Sequence, residues 1–181
     1  KGNTDLRASH LENDKTIAAG KDITISVDGH VTNTGTVGAG IKEAGGLTET
    51  GTLEIQSGRV DNRRGTLLAG NHLGISSGSL SNEKGQISGY GTFHASAEEI
   101  NNTDGKISFI GDISVKAKDI ANDRGRLTTE SSLFLRGNTV TNEKGTVIAG
   151  GDASLYGTSF NNTEGNIITG KDMELVLPWI R

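Results

Sequence analysis

The chain has 181 residues, among them 27 glycines, one proline and no cysteine, with 4% aromatic and 32% hydrophobic content and a formal net charge of −4. That composition starves a compact globule of core but suits a thin repetitive one whose turns use glycine, and without cysteine there is no disulfide framework or thiolate chemistry. Scattered basic residues and scarce aromatics leave no electrostatic footprint or stacking platform for nucleic acid, and no run of 18 apolar residues marks a membrane span.

Low hydrophobicity also fits a disordered chain, but the apolar positions recur too strictly for that. The first signs lie near the start, where Leu11–Asn13 and Val31–Asn33 each read as a short strand ending in asparagine. From Asn13 to Ile17 and from Asn33 to Val37 the chain takes four residues, where later repeats take five, so these corners are predicted to be tighter. His10 and His30 share one repeat position, but two imidazoles without a third ligand make a weak metal site, and His72 and His94 fall elsewhere. No metal or cofactor is expected.

After Val37 the segment GAGIKEAGGLTETGT, residues 38–52, delays the next strand pair, Leu53 and Ile55. It reads as a loop or small hairpin projecting from a regular shaft. Binding is often grafted on such loops, which makes Ile41, Lys42, Glu43, Leu47 and Glu49 candidate receptor contacts; a tolerated surface insertion is the other reading.

From Val60 onward a 20-residue unit repeats. Its first column is Val60, Leu80, Ile100, Ile120, Val140 and Phe160, and its eighth Leu67, Ile87, Ile107, Leu127, Val147 and Ile167. The fourteenth and sixteenth are apolar and two apart, as in Leu133 and Leu135, which is strand alternation rather than helical periodicity. The spacing predicts an all-β, right-handed parallel β-helix of about eight coils, with three short strands per coil and coils about 4.8 Å apart. One coil cannot offset its own ordering entropy, so stability must come from stacking on neighbours.

The third column is Asn62, Asn82, Asn102, Asn122, Asn142 and Asn162, and the sixth Gly65, Gly85, Gly105, Gly125, Gly145 and Gly165. Asparagine at a corner can bond to the same amide one coil up, building a ladder, and the glycine is predicted to supply a positive φ for the turn. A row of ligand-binding asparagines is the functional alternative, but a residue required by every coil suits architecture better. Between these columns, Lys84 with Asp104, Asp104 with Arg124, and Lys144 with Glu164 pair opposite charges one coil apart. The Asn-x-Thr acceptors at 101–103 and 161–163 follow from having Asn in every coil.

An aspartate column at Asp22, Asp112, Asp152 and Asp172 is the best catalytic candidate, since adjacent carboxylates one coil apart approach the spacing of a retaining glycosidase. Each, however, follows glycine or lysine at a strand entry, the place of a turn-forming aspartate. No catalytic residue is therefore assigned. The C-terminal residues 176–181, ending LPWIR, break the pattern and read as an end cap, the start of another segment, or a cut edge.

NEKGTVIAGGDASLYG, with NRRGTLLAGNHLGISSG and NTEGNIITGKDMELV, resembles the haemagglutinin repeat of filamentous haemagglutinin. That repeat occurs in exoproteins of bacterial two-partner secretion, adhesins and contact-dependent growth inhibition effectors of the CdiA type among them. The resemblance covers nearly the whole chain. It implies a β-helix shaft exported unfolded through an outer-membrane transporter of the TpsB type. It further implies display outside the cell, attached to the bacterial surface, and a receptor on a host or neighbouring bacterial cell. The chain, residues 1–181, then reads as a single segment of a larger exoprotein that begins in mid-repeat; it is not membrane-embedded and not an enzyme.

Overall fold

The computed structural model describes residues 2–178 and is all-β, with no helix. Two sheets run the length of the molecule, one 14-stranded and one 8-stranded. All strand-to-strand pairing between successive coils is parallel, and in the regular part it matches residues 20 apart, as in Ile107↔Leu127 and Ile113↔Leu133. The product is a parallel β-solenoid of about nine turns. The asparagine corners give one fewer, because the face opening with Thr4–Ala8 and closing with Met173–Val176 has a layer before the first corner and another after the last.

Three separate strands per coil occur in the first coil, as Thr4–Ala8, Leu11–Asn13 and Thr16–Ala19, and again from Thr92 onward, where strands such as Thr92–Ser96, Glu99–Asn101 and Lys106–Phe109 follow one another around the coil. In the coils between, the first two are a single bent strand: Ile23–Asn33, Thr52–Asp61 and His72–Ser81. The glycines Gly29, Gly58 and Gly78 lie inside these long strands.

Alternation places every second side chain in a core one residue thick. Leu53, Leu67, Leu73 and Ile87 are wholly inaccessible. Size is balanced between rungs: Phe109 packs its ring parallel to Phe93, centroids 5.2 Å apart, over Gly89, where a Cβ would lie 2.6 Å from the Phe109 ring. Burial of each such side chain contributes about 1.5 to 3 kcal/mol, and because each coil touches only its neighbours these terms add along the axis.

The predicted insertion is a hairpin. Ile41 and Leu47 form an antiparallel bridge, and the Lys42 N–H donates to the Gly46 carbonyl across a turn whose Gly45 and Gly46 take φ of 84° and 89°. Its base is tied to the shaft, since Ile41 N–H donates to Ala19 O and Asn71 N–H to Gly51 O. At the other end Leu177 and Pro178 are exposed and outside any strand. Trp179 and the rest of the cap sequence lie outside the described residues.

Candidate functional site

The asparagines form one continuous file. From Asn13 through Asn33, Asn62, Asn82, Asn102, Asn122 and Asn142 to Asn162, each Nδ2 donates to the next Oδ1 at 2.7 Å. The same Nδ2 lies within reach of two backbone oxygens, for Asn62 those of Gly65 and Gln86, both at 3.2 Å. Asn33, Asn62 and Asn82 have no accessible surface, so every polar atom of these amides must find its partner inside the protein.

The corner differs from the sequence expectation in one respect. Positive φ falls one residue before the glycine, on Arg64, Lys84, Asp104, Arg124, Lys144 and Glu164, at 54° to 63°. Glycine is required for a different reason: a Cβ on Gly105 would lie 2.1 Å from the Asn82 carbonyl oxygen of the coil below. Close approach of stacked backbones, not a left-handed torsion, excludes any larger residue.

The left-handed residues carry the charged column. Arg124 grips Asp104 through Nε and Nη2 at 2.8 and 3.1 Å and holds that carboxyl below the usual carboxylate range. Lys144 approaches Glu164 at 3.8 Å, whereas Lys84 is within ion-pair distance of its own neighbour Glu83 rather than Asp104. Exposed pairs of this kind add little stability.

The aspartate column serves strand entries. Asp22 accepts the Thr52 N–H at 2.8 Å, Asp152 the Asp172 N–H at 3.2 Å, and Asp112 both the Ser131 hydroxyl at 2.5 Å and the Ser132 N–H at 3.0 Å. Hydrogen bonds from Ser131, then Ser132, keep the Asp112 carboxyl low. His10 and His30 meet edge to face at 5.4 Å, and among the described residues no three candidate ligands gather around a metal position.

Of the five hairpin residues singled out, Leu47 and Glu49 line grooves against the shaft. Leu47 lines a groove of about 450 Å³ with Tyr90, Ile110, Arg126 and Thr128. Glu49 lines an adjoining one of about 310 Å³ with Gly70, Tyr90 and Ile110. Ile41 is half-buried at the hairpin bridge, and Lys42 and Glu43 lie exposed near its turn. Sequence reasoning missed Tyr90 and Ile110, which are 43% and 46% exposed. The signal was present, because their column otherwise reads Gly70, Glu130, Gly150 and Gly170. A tyrosine and an isoleucine on a glycine-and-glutamate corner have no core to fill.

Among the described residues, no helix is long and apolar enough to cross a membrane. The profile of a family described as haemagglutinin repeat matches residues 1–41, 42–96 and 86–176. No curated protein and no solved structure matches the chain.

Proposed function

Since this chain belongs to the haemagglutinin-repeat family, we propose that it is a length of shaft in a secreted exoprotein, holding a distal adhesive or toxic region away from the bacterial surface. The observation that carries the reading is the unbroken asparagine file, which joins eight successive coils by bonds of one length. Interior side chains go into stacking, and the Asp column into strand entries, so the reading is mechanical and non-enzymatic. Family membership supports export through an outer-membrane TpsB-type transporter and display outside the cell. Folding after export can proceed coil by coil, because each coil needs only its neighbour.

Excising residues 83–102 from the full-length exoprotein tests this, since the cut joins Asn82 to Thr103 and removes one whole turn in register. A shaft predicts secretion, a rod shorter by about 4.8 Å, and retained activity of the distal region. An intact, shortened rod whose cell binding or toxicity is abolished would overturn it.

A second reading, that this segment itself contacts a receptor, is favoured by the hairpin lying beside exposed Tyr90 and Ile110. Replacing residues 41–49 with a short glycine-serine turn and measuring binding to target cells separates the two: loss supports the contact, and unchanged binding leaves the shaft alone.

A further inference from the structure

The corner between the first two strands of each coil forms a trough along the solenoid, and its chemistry changes along the axis. In the early coils it is lined by Ser26, Asp28, Gln56 and Ser76. In the later coils it widens to about 760 Å³ over a floor of Ala97, Ala117, Gly137 and Gly157. One wall is a single column, in which paired strands set Ser96, Lys116, Arg136, Tyr156 and Val176 on successive rungs. Polarity falls along it, from a hydroxyl through two cations to an aromatic ring, a valine and then Pro178. No carboxylate lines this stretch, and among the described residues neither Lys116 nor Arg136 has an acidic partner. The floor has no N–H left to give: Ala97, Ala117, Gly137 and Gly157 donate theirs to the carbonyls of the coil above, those of Lys116, Arg136, Tyr156 and Val176. The Tyr156 hydroxyl is engaged as well, donating to Glu174 at 2.5 Å, and Glu174 does not line the trough, so Tyr156 presents its ring. On the opposite wall the Thr158 hydroxyl donates to the Asn138 carbonyl.

We infer that this trough binds a free medium-chain fatty acid. Its carboxylate pairs with Lys116 and Arg136, and its tail lies along the axis over Gly137 and Gly157 toward Val176 and Pro178. Charge complementarity fixes the head, because the two cations are the only charges in the lining and both stand on one side of the apolar stretch. Two rungs separate Arg136 from Val176, about 10 Å, and that distance takes up about eight methylenes of an extended chain. A polymethylene tail asks for no hydrogen bond and gains by covering apolar surface. An acidic peptide would instead set its carbonyls over a floor without donors, and a sugar chain would set hydroxyls against Val176 and Pro178. The shaft reading stands whether or not the trough is occupied.

The test is an NMR titration of the isotope-labelled 181-residue chain with decanoate, kept below its micelle-forming concentration. Saturable shifts clustered at the Ala117, Gly137 and Gly157 amides are expected. From hexanoate to decanoate the affinity should rise about twofold per methylene, since an open trough covers roughly half of the tail, and it should level off at dodecanoate, whose tail outruns Val176. The K116S/R136S double variant, which restores the serine of the coils below, should bind decanoate about tenfold more weakly with an unchanged urea midpoint. Equal affinity for octyl glucoside, a tail without charge, or for acetate, a charge without tail, would overturn the assignment. So would undiminished binding by K116S/R136S, shifts lying elsewhere on the chain, or a response to phosphatidylglycerol vesicles with none to decanoate.

Discussion

The coil that opens with Ile23 and the later ones cover the same distance between the first and third core columns by different routes. In the early design six residues separate Ile25 from Val31 and six separate Val31 from Val37; in the later one five separate Ile55 from Val60 and seven separate Val60 from Leu67. A residue added at one corner is removed at the other. The structure shows the exchange directly: the pairing of Ile23–Asn33 with Thr52–Asp61 shifts register between Val27 and His30, and positive φ on a non-glycine residue begins only at Arg64. Across this change of design, and across the hairpin that interrupts it, Asn33 still donates to Asn62 at 2.7 Å. Corners are therefore interchangeable as long as the file of amides and the core columns stay in line.

The largest test of that comparison is Asn102→Ala. It removes two bonds of the file in mid-shaft, leaves the buried Asn122 Oδ1 without its donor and takes from Asn82 Nδ2 its shortest acceptor, at a cost of about 3 to 5 kcal/mol in urea unfolding. Asn13→Ala, which breaks one bond of the file where Asn102→Ala breaks two, should cost less, about 1 kcal/mol; equal losses at the two sites would show that the file does not act through its neighbours.

Next comes Gly105→Ala, predicted to cost about 3 kcal/mol because the new methyl meets a backbone oxygen that cannot withdraw. In the first coil the equivalent place carries Lys15, and no described coil lies beneath it, so Lys15→Gly in the 181-residue chain should leave the unfolding midpoint in place.

Lys84→Gly should stabilise by about 1 kcal/mol by relieving a left-handed torsion. Thr34→Gly, in the tight corner without that torsion, should destabilise by a few tenths of a kcal/mol. Opposite signs are the expected signature, and matching signs would mean that the two corners share one backbone.

The smallest effect concerns Asp61, which the later design places at the end of a bent strand. Its carboxylate accepts hydrogen bonds from Arg63 Nε, Nη2 and N–H, and these hold its pKa below the ordinary 3.8. A depressed folded pKa means stability that is present above the unfolded value and lost as pH falls from about 3.8 through the folded one. Asp61→Asn should therefore flatten the acid limb of a stability-against-pH curve slightly.

Much of the fold was readable because strand alternation and the 20-residue period both act on side chains that show themselves in the sequence. Leu133 and Leu135 declare a strand, and asparagines at a fixed interval declare a stack. What escaped is set by backbone contacts that no side chain announces. Gly105 looks like a turn glycine because glycine so often supplies positive φ, yet its role depends on an oxygen 20 residues away in the stack. Arg64 and its counterparts look like solvated charges, and only the coordinates reveal their torsion. The exchange of a residue between corners was readable in part: the shortened Asn33-to-Val37 interval is visible, whereas its compensation at Asp28 and Gly29 sits in a strand whose alternation hides it. For the candidate groove, Leu47 and Glu49 could be named because the insertion breaks the repeat. Tyr90 and Ile110 stand out in their column as apolar residues at a glycine-and-glutamate corner, but only folding brings that corner beside the hairpin.

The hydrogen-bonded asparagines also give the molecule a sense of travel. Every amide in the row points the same way, nitrogen toward the later coil, so their dipoles sum along the axis as peptide groups do in a helix. The Asn13 oxygen stands at one terminus of that row, and at the other the Asn162 nitrogen bonds only its own Gly165 carbonyl. A coil laid on upside down would set nitrogen against nitrogen or oxygen against oxygen, so the row itself rejects inverted stacking and gives the two extremities different chemistry.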